Sequence, residues 1–433
     1  MVLNPSEGRG RGTNDDSLGR TRGTNDDSVG RKKGTNDDSI GRKGGTNDDS
    51  IGRKGGTNDD SIGRGKGTND DSIGGNTAVT SRDLQAVAPT WTAAVTDHDA
   101  VTDLPAASQA QVEALLANPA TSHAADYALK SETFAALPAD QREKFIDVMT
   151  KSDAVGVKLM AVTCEKAGDL FAEKASDGTS MLDSLDRMAN APNGKGFLDN
   201  TLADVLRPDR IWQGDAPTCT VSTMQYELAK EKPAEYARLM TGLTVDGSVT
   251  LAGGGTLETN VSNAVFSSLI SKDQRSPTEA VFQAAAMETA NGADTYDVNA
   301  RASTGLDAQG NAHTYKGLYG DQIRDMVGKL FGIDYKTTKI TTDAEAATAL
   351  TTLNKSNVPN RPVLVDLVID DKTNHCVAFD DYANGMVTFR DPQTGKKFSI
   401  TEKEFLATAA AVHEAPLPVP RRIPRGKMLM MED

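Results

Sequence analysis

The chain has 433 residues, a net charge of −14 and three cysteines, Cys164, Cys219 and Cys376. That length allows two or three domains of about 100–200 residues each. The acidic balance excludes general nucleic-acid binding, which needs a basic surface, and widely spaced cysteines with no Cys-x-x-Cys pair exclude a disulfide framework and a thiolate zinc site.

No apolar stretch approaches the ~18 residues of a membrane-spanning helix, and the N-terminus has no apolar core of a signal peptide. The expected address is therefore the cytoplasm, or export without a cleavable signal, and no membrane partner is expected. Residues 1–75 carry 13 acidic and 13 basic side chains, so the whole net charge belongs to residues 76–433.

Those first 75 residues are a repeat. Gly-Thr-Asn-Asp-Asp-Ser, an aliphatic residue and Gly recur with period 11, the threonines being Thr13, Thr24, Thr35, Thr46, Thr57 and Thr68. Each unit offers one aliphatic side chain and no aromatic, too little burial to offset backbone ordering at about 1–2 kcal/mol per residue. A disordered, extended arm that could recruit a protein partner is the expectation. The units distantly resemble the Gly-rich repeats that bind Ca²⁺ in parallel β-rolls, but those run in nines, and the Arg and Lys of these linkers oppose a stack of cation sites. Serial modification or cleavage of the repeats is a further reading.

Residues 84–206 turn to Ala, Leu, Asp and Lys with repeated helix signals and form a small helical domain. Met181, Leu182, Leu185 and Met188 recur at three- and four-residue spacing, which places them on one helix face as core. Cys164 lies in a similar run, Val155 to Phe171, and reads as a buried small hydrophobe. Residues 207–412 are mixed. A helix follows Cys219, and another begins at Ser276-Pro277-Thr278-Glu279, which combines an N-cap serine, a first-turn proline and a capping-box glutamate, and ends near Asn291-Gly292. From Arg361 a near-continuous β-branched run reads as a central strand. Two further strands flank Asn384-Gly385, a strong hairpin signal. A helical half followed by a strand-rich half makes this domain α+β, and residues 413–433 form a Pro/Arg-rich tail holding His413.

A cysteine attacks a carbonyl as thiolate, and the N-terminus of a helix supplies about +0.5 of a charge to stabilise one. Cys219 stands at such a junction: Asp215-Ala216-Pro217-Thr218 reads as loop, and Val221, Met224 and Leu228 form the buried stripe of a helix. Six residues upstream, the Gln213 amide could join the Cys219 N–H in an oxyanion hole. Of five histidines, His98 and His123 lie in the helical region and His413 in the tail, leaving His375 as the base and His313, in a polar loop, as the reserve. Folding about Asn384-Gly385 returns Asp391 to within about three residues of the point opposite His375, where a carboxylate would orient the imidazole. Cys376 points to the other face of its strand and reads as a core thiol. Asp380 and Asp381 precede the turn and solvate the hairpin end.

Gln213, Cys219, His375 and Asp391 stand in the order and spacing of the papain superfamily. Asp391-Pro392 followed by Gly395 is more similar to the bacteriocin-processing peptidase domains than to papain itself, and residues 276–292 look like part of the calpain-like branch. The resemblance covers about 200 residues, lacks the Cys-Trp that follows the nucleophile in papain, and carries a large insertion over residues 251–313. It implies a papain-like fold, with a helical half against an antiparallel sheet, and a cysteine peptidase that acts on a protein or peptide through a thioester acyl-enzyme with no cofactor or metal. A transglutaminase-like acyltransferase, an inactive binding module served by the repeat arm, and a secreted toxin or effector peptidase are the alternatives.

Overall fold

The computed structural model describes residues 99–166, 168–192, 194–259, 275–306, 309–370 and 373–417, with five two-residue strands in the repeats. Those strands, β1 (Thr21–Arg22), β2 (Lys32–Lys33), β3 (Lys43–Gly44), β4 (Lys54–Gly55) and β5 (Gly65–Lys66), pair in parallel, each with the next. Their register is one repeat, Thr21 opposite Lys32 and Lys32 opposite Lys43. The rest of the expected arm, residues 84–98 of the expected helical domain and residues 418–433 of the tail lie outside the described residues.

Among the described residues eight helices precede the cysteine: α1 (Asp99–Thr102), α2 (Ala106–Ala117), α3 (Ser122–Leu129), α4 (Glu132–Ala136), α5 (Ala139–Lys151), α6 (Ala154–Lys166), α7 (Met181–Asn190) and α8 (Lys195–Leu206). The amphipathic reading of α7 holds: Met181, Leu182, Leu185 and Met188 are all fully buried, and a reciprocal capping box between Ser180 and Asp183 starts the helix. Cys164 lies buried in α6. A short 3₁₀ turn, Pro208–Arg210, leads to α9 (Cys219–Glu231), followed by α10 (Pro233–Thr241), whose end widens into a π turn at Gly242–Asp246. After the hairpin of β6 (Ser248–Thr250) and β7 (Thr256–Glu258) comes α11 (Pro277–Asn291). Its capping box joins Ser276 to Glu279, as that motif predicts, and it stops at Gly292, whose φ of 70° a side chain would resist.

Residues inside the expected insertion form a small antiparallel sheet of β8 (Thr295–Asp297), β9 (Ala302–Leu306) and β10 (Ala312–Tyr315). The rest of the chain adds α12 (Gly320–Phe331), β11 (Lys336–Lys339), α13 (Asp343–Ser356), β12 (Leu364–Asp370), β13 (Thr373–Ala383), β14 (Met386–Arg390), β15 (Lys397–Thr401), α14 (Glu402–Thr408) and β16 (Ala409–Glu414). The six strands β11 to β16 make one antiparallel sheet in the order β11-β16-β12-β13-β14-β15. The described chain is thus α+β.

The near-continuous apolar run of β12 is explained by the sheet's two covered faces. Leu364, Cys376 and Ala378 join a core that runs from Val101 in α1 through α9 and α11 to Ala415. Val365, Leu367, Val377 and Phe379 face the other way, into a smaller cluster with Leu350 and Leu353 of α13 and Phe405 of α14. His413 corrects the tail boundary. It is fully buried on β16, hydrogen-bonded to Asp366 (3.1 Å) and Thr337 (2.9 Å), because Ala409–Glu414 pairs with both β11 and β12 and completes the sheet before the prolines begin.

Candidate active site

Cys219 is the first residue of α9 and is half-buried, while Val221, Met224 and Leu228 behind it are fully buried. The buried stripe fixes the helix, and the helix fixes the thiol at its positive end. No side chain caps this N-terminus: the Thr218 hydroxyl, in the capping position, donates instead to Gln283 Oε1 at 2.9 Å.

The β13–β14 hairpin brings the other two residues together. Asn384 and Gly385 both have positive φ, 54° and 75°, the conformation of the tight turn expected for Asn-Gly. Past the turn the register runs Ala383 opposite Met386 and Asp381 opposite Thr388, then slips by one residue at Asp380, so that Phe379 faces Phe389 and Ala378 faces Arg390. This bulge matters because side chains alternate faces. In the unslipped register Asp391 would stand opposite Ala378, on the Cys376 face. With the slip it follows on opposite Val377, two residues from His375 and on the same face.

There Asp391 Oδ1 lies 2.6 Å from His375 Nε2, which leaves Nδ1 for the thiol. The carboxylate is wholly buried and fully engaged: Oδ1 also accepts from the Gln393 N–H (2.8 Å) and Oδ2 from the Thr394 hydroxyl (2.8 Å). The turn Asp391–Lys396 that makes these bonds closes through Gly395, at φ 70°, and docks on the loop before the cysteine, where the Gln213 N–H donates to the Pro392 carbonyl (2.8 Å).

The charges reinforce one another. Burial opposes ionisation of the Cys219 thiol, but the hydrogen bond and charge of His375 and the Cys376 N–H outweigh it, holding the thiol below its ordinary range against the pull of Asp366. Burial likewise opposes the imidazolium. The Asp391 charge and hydrogen bond, with Cys219, overcome it and raise His375 to about 10. Burial would raise Asp391, yet His375, the Gln393 N–H and the Thr394 hydroxyl hold it below the usual carboxylate range. Both shifts run in the direction of a thiolate–imidazolium pair.

Gln213 is buried beside this group, its Nε2 donating to the Ala216 carbonyl (3.1 Å), while its Oε1 has no hydrogen-bond partner. One amide N–H hydrogen remains beyond the Ala216 bond. Cys376 is buried against the α9 side of the sheet, and its main-chain N–H serves Cys219. His313 is on β10, 3.9 Å from Asp294 and stacked on Tyr315, while Asp380 binds Lys397 and Asp381 is exposed.

Several residues around the site carry no sequence motif. Asp366 stands opposite Cys376 on β12, and Arg390 stacks over the Tyr226 ring of α9 at 4.8 Å and donates to the Asp209 carbonyl. Gln283, fully buried in an otherwise apolar stretch of α11, is the one with a visible signal: a lone amide among Val281, Phe282 and Ala284–Ala286. Among the described residues no helix is long and apolar enough to cross a membrane. No family model matches the chain, and no curated protein matches it.

Proposed function

We propose that the chain is a papain-like cysteine peptidase whose nucleophile is Cys219, with His375 as its acid and base, Asp391 as the orienting carboxylate and Gln213 at the oxyanion hole. The observation that carries this reading is the buried Asp391 carboxylate 2.6 Å from His375 Nε2, with Cys219 at the N-terminus of α9 near enough to His375 for each to shift the ionisation of the other.

In this mechanism the Cys219 thiolate attacks the peptide carbonyl, and the negative charge that develops on oxygen falls at the start of α9. In this reading the Cys219 N–H and the remaining amide hydrogen of Gln213 receive it. The His375 imidazolium gives its proton to the departing amine, leaving a thioester. Neutral His375 then draws a proton from water as the water attacks that thioester, and the carboxylic acid and the resting ion pair are regenerated. Asp391 keeps one ring nitrogen engaged throughout, so the other points at sulfur and leaving group alike.

A fluorogenic peptide panel tests this. Hydrolysis should be abolished by Cys219→Ala and by a thiol-alkylating reagent. Incorporation of added amine without any peptide cleavage would move the assignment to an acyltransferase. Neither activity from a folded chain that retains a reactive Cys219 would leave a binding module.

A further inference from the structure

Gln283 lies on α11, 65 residues from Thr218 in sequence, yet its amide holds both ends of the segment that delivers the nucleophile. Its Nε2 donates to the Trp212 carbonyl (2.8 Å) and to Gln225 Oε1 (3.1 Å), while its Oε1 accepts from the Thr218 hydroxyl (2.9 Å) and from Arg275 Nη1 (3.1 Å). Two donors and two acceptor sites are all an amide has, so every one is used and the group can point only one way.

The chain of donors continues inward. Gln225 Nε2 donates to the Tyr236 hydroxyl (2.9 Å), which donates to Asp204 Oδ2 (2.7 Å), where Thr278 also donates (2.5 Å). Gln225, Tyr236, Asp204, Thr278 and Gln283 are all fully buried. The sequence of donors ends on Asp204, and at its other end Arg275, which only donates, marks the Gln283 oxygen as the acceptor and so fixes the direction of the link from Thr218.

The consequence falls on α9. A threonine in the capping position ordinarily turns its oxygen onto the first-turn N–H groups and neutralises part of the helix's positive end. Thr218 makes no such bond: its hydroxyl is engaged by Gln283, and its backbone, at φ −112° and ψ 21°, stands outside the extended conformation of a capping residue. We propose that Gln283 is a positioning residue that withholds Thr218 from capping α9, so that the first-turn N–H groups of that helix act on the Cys219 thiolate. This rests on the reading of Cys219 as the nucleophile.

The test is the pH profile of Cys219 alkylation by iodoacetamide in the full chain, with folding checked by thermal melting. Wild type should keep reacting rapidly well below pH 8. Gln283→Met keeps the volume but frees the Thr218 hydroxyl to cap. It should move the profile toward that of an ordinary thiol and lower the rate at pH 6 by about tenfold, a tenth of the penalty that a 1 Å misplacement can carry. Thr218→Val removes the capping oxygen and should keep the wild-type profile. The double variant should regain the reactivity that Gln283→Met alone loses, which a merely loosened fold would not do.

A Gln283→Met profile equal to wild type overturns the proposal, as does a double variant no faster than Gln283→Met. If Gln283→Met does not fold, Thr218→Val decides: wild-type reactivity supports the proposal, and lost low-pH reactivity overturns it. An ordinary thiol profile in the wild type would instead overturn the nucleophile reading, and this proposal with it.

Discussion

Asp391→Asn is the sharpest perturbation of the proposed triad, because the geometry around the carboxylate accommodates an amide. An asparagine oxygen in the place of Oδ1 still accepts from His375 and the Gln393 N–H, and the Thr394 hydroxyl can rotate to accept from the new NH₂. What disappears is the charge. A hydrogen bond to an ionised group is worth about 1.5–3 kcal/mol against about 1 for a neutral pair, so the imidazolium loses about 0.5–2 kcal/mol of support. At about 1.4 kcal/mol per tenfold, that is about a two- to thirtyfold loss of thiolate–imidazolium pair. His375, raised to about 10 in the wild type, falls back toward its ordinary value. The alkaline limb of the pH–rate profile, which follows loss of the imidazolium proton, should therefore move toward neutrality. Iodoacetamide alkylation and peptide hydrolysis between pH 5 and 10.5 measure both effects. An alkaline limb left in place, with a rate at pH 7 within twofold of wild type, would refute the reasoning.

Three further outcomes follow from the packing. Glu279 is buried, and burial together with the Asp204 charge raises it to about 8 despite the Ser276 N–H, Arg210 and the Trp212 N–H. A carboxyl raised above its unfolded value of about 4.3 contributes stability that is complete below that value and is lost as pH rises toward 8. Glu279→Gln should therefore gain on wild type in melting temperature from pH 5 to pH 8, and a constant difference would count against the buried acid. Phe145→Ala opens a cavity where Phe145 meets Phe134 at 5.3 Å and Phe171 at 5.1 Å. It should cost about 3–5 kcal/mol and, since one core joins α1 to Ala415, should lower the urea midpoint of circular dichroism and tryptophan fluorescence together; separate transitions would argue for two cores. Asn384→Ala keeps a β-carbon at φ 54° but removes asparagine's local hydrogen bonding and should cost about 1 kcal/mol, read as a lower melting temperature with Cys219 alkylation unchanged.

The features legible in the sequence were those made by neighbours in the chain. The stripe Val221, Met224, Leu228 gave the helix behind Cys219, Ser276 with Pro277 and Glu279 gave the start of α11, and Asn384-Gly385 gave the turn. Offsets along the chain also pointed to His375 and Asp391 as a pair, and the structure brings them to 2.6 Å. What the sequence left open depends on distant partners. The bulge at Asp380 has no residue signature of its own, so the face of Asp391 was undetermined. The Gln283–Thr218 and Tyr236–Asp204 bonds span 65 and 32 residues, and nothing local announces them. His413 falls with the tail in sequence because of the nearby prolines: a six-residue run with alanine at half its positions has little strand signal until β11 and β12 are there to pair with it on either side.

The bulge at Asp380 also makes the site depend on the parity of the hairpin. Each residue inserted or removed on one strand between His375 and Asp391 exchanges the two faces of everything beyond it. A change of one would turn Asp391 toward α9 and bring the Arg390 guanidinium, now stacked on Tyr226, round to the side of His375. The orienting group would then be a cation where an anion is required. A change of two restores the faces and alters only the reach. Lengthening or shortening at the exposed Asn384-Gly385 end is thus permitted in steps of two, and among chains that share this arrangement the bulge should be inherited together with the acid that it aims.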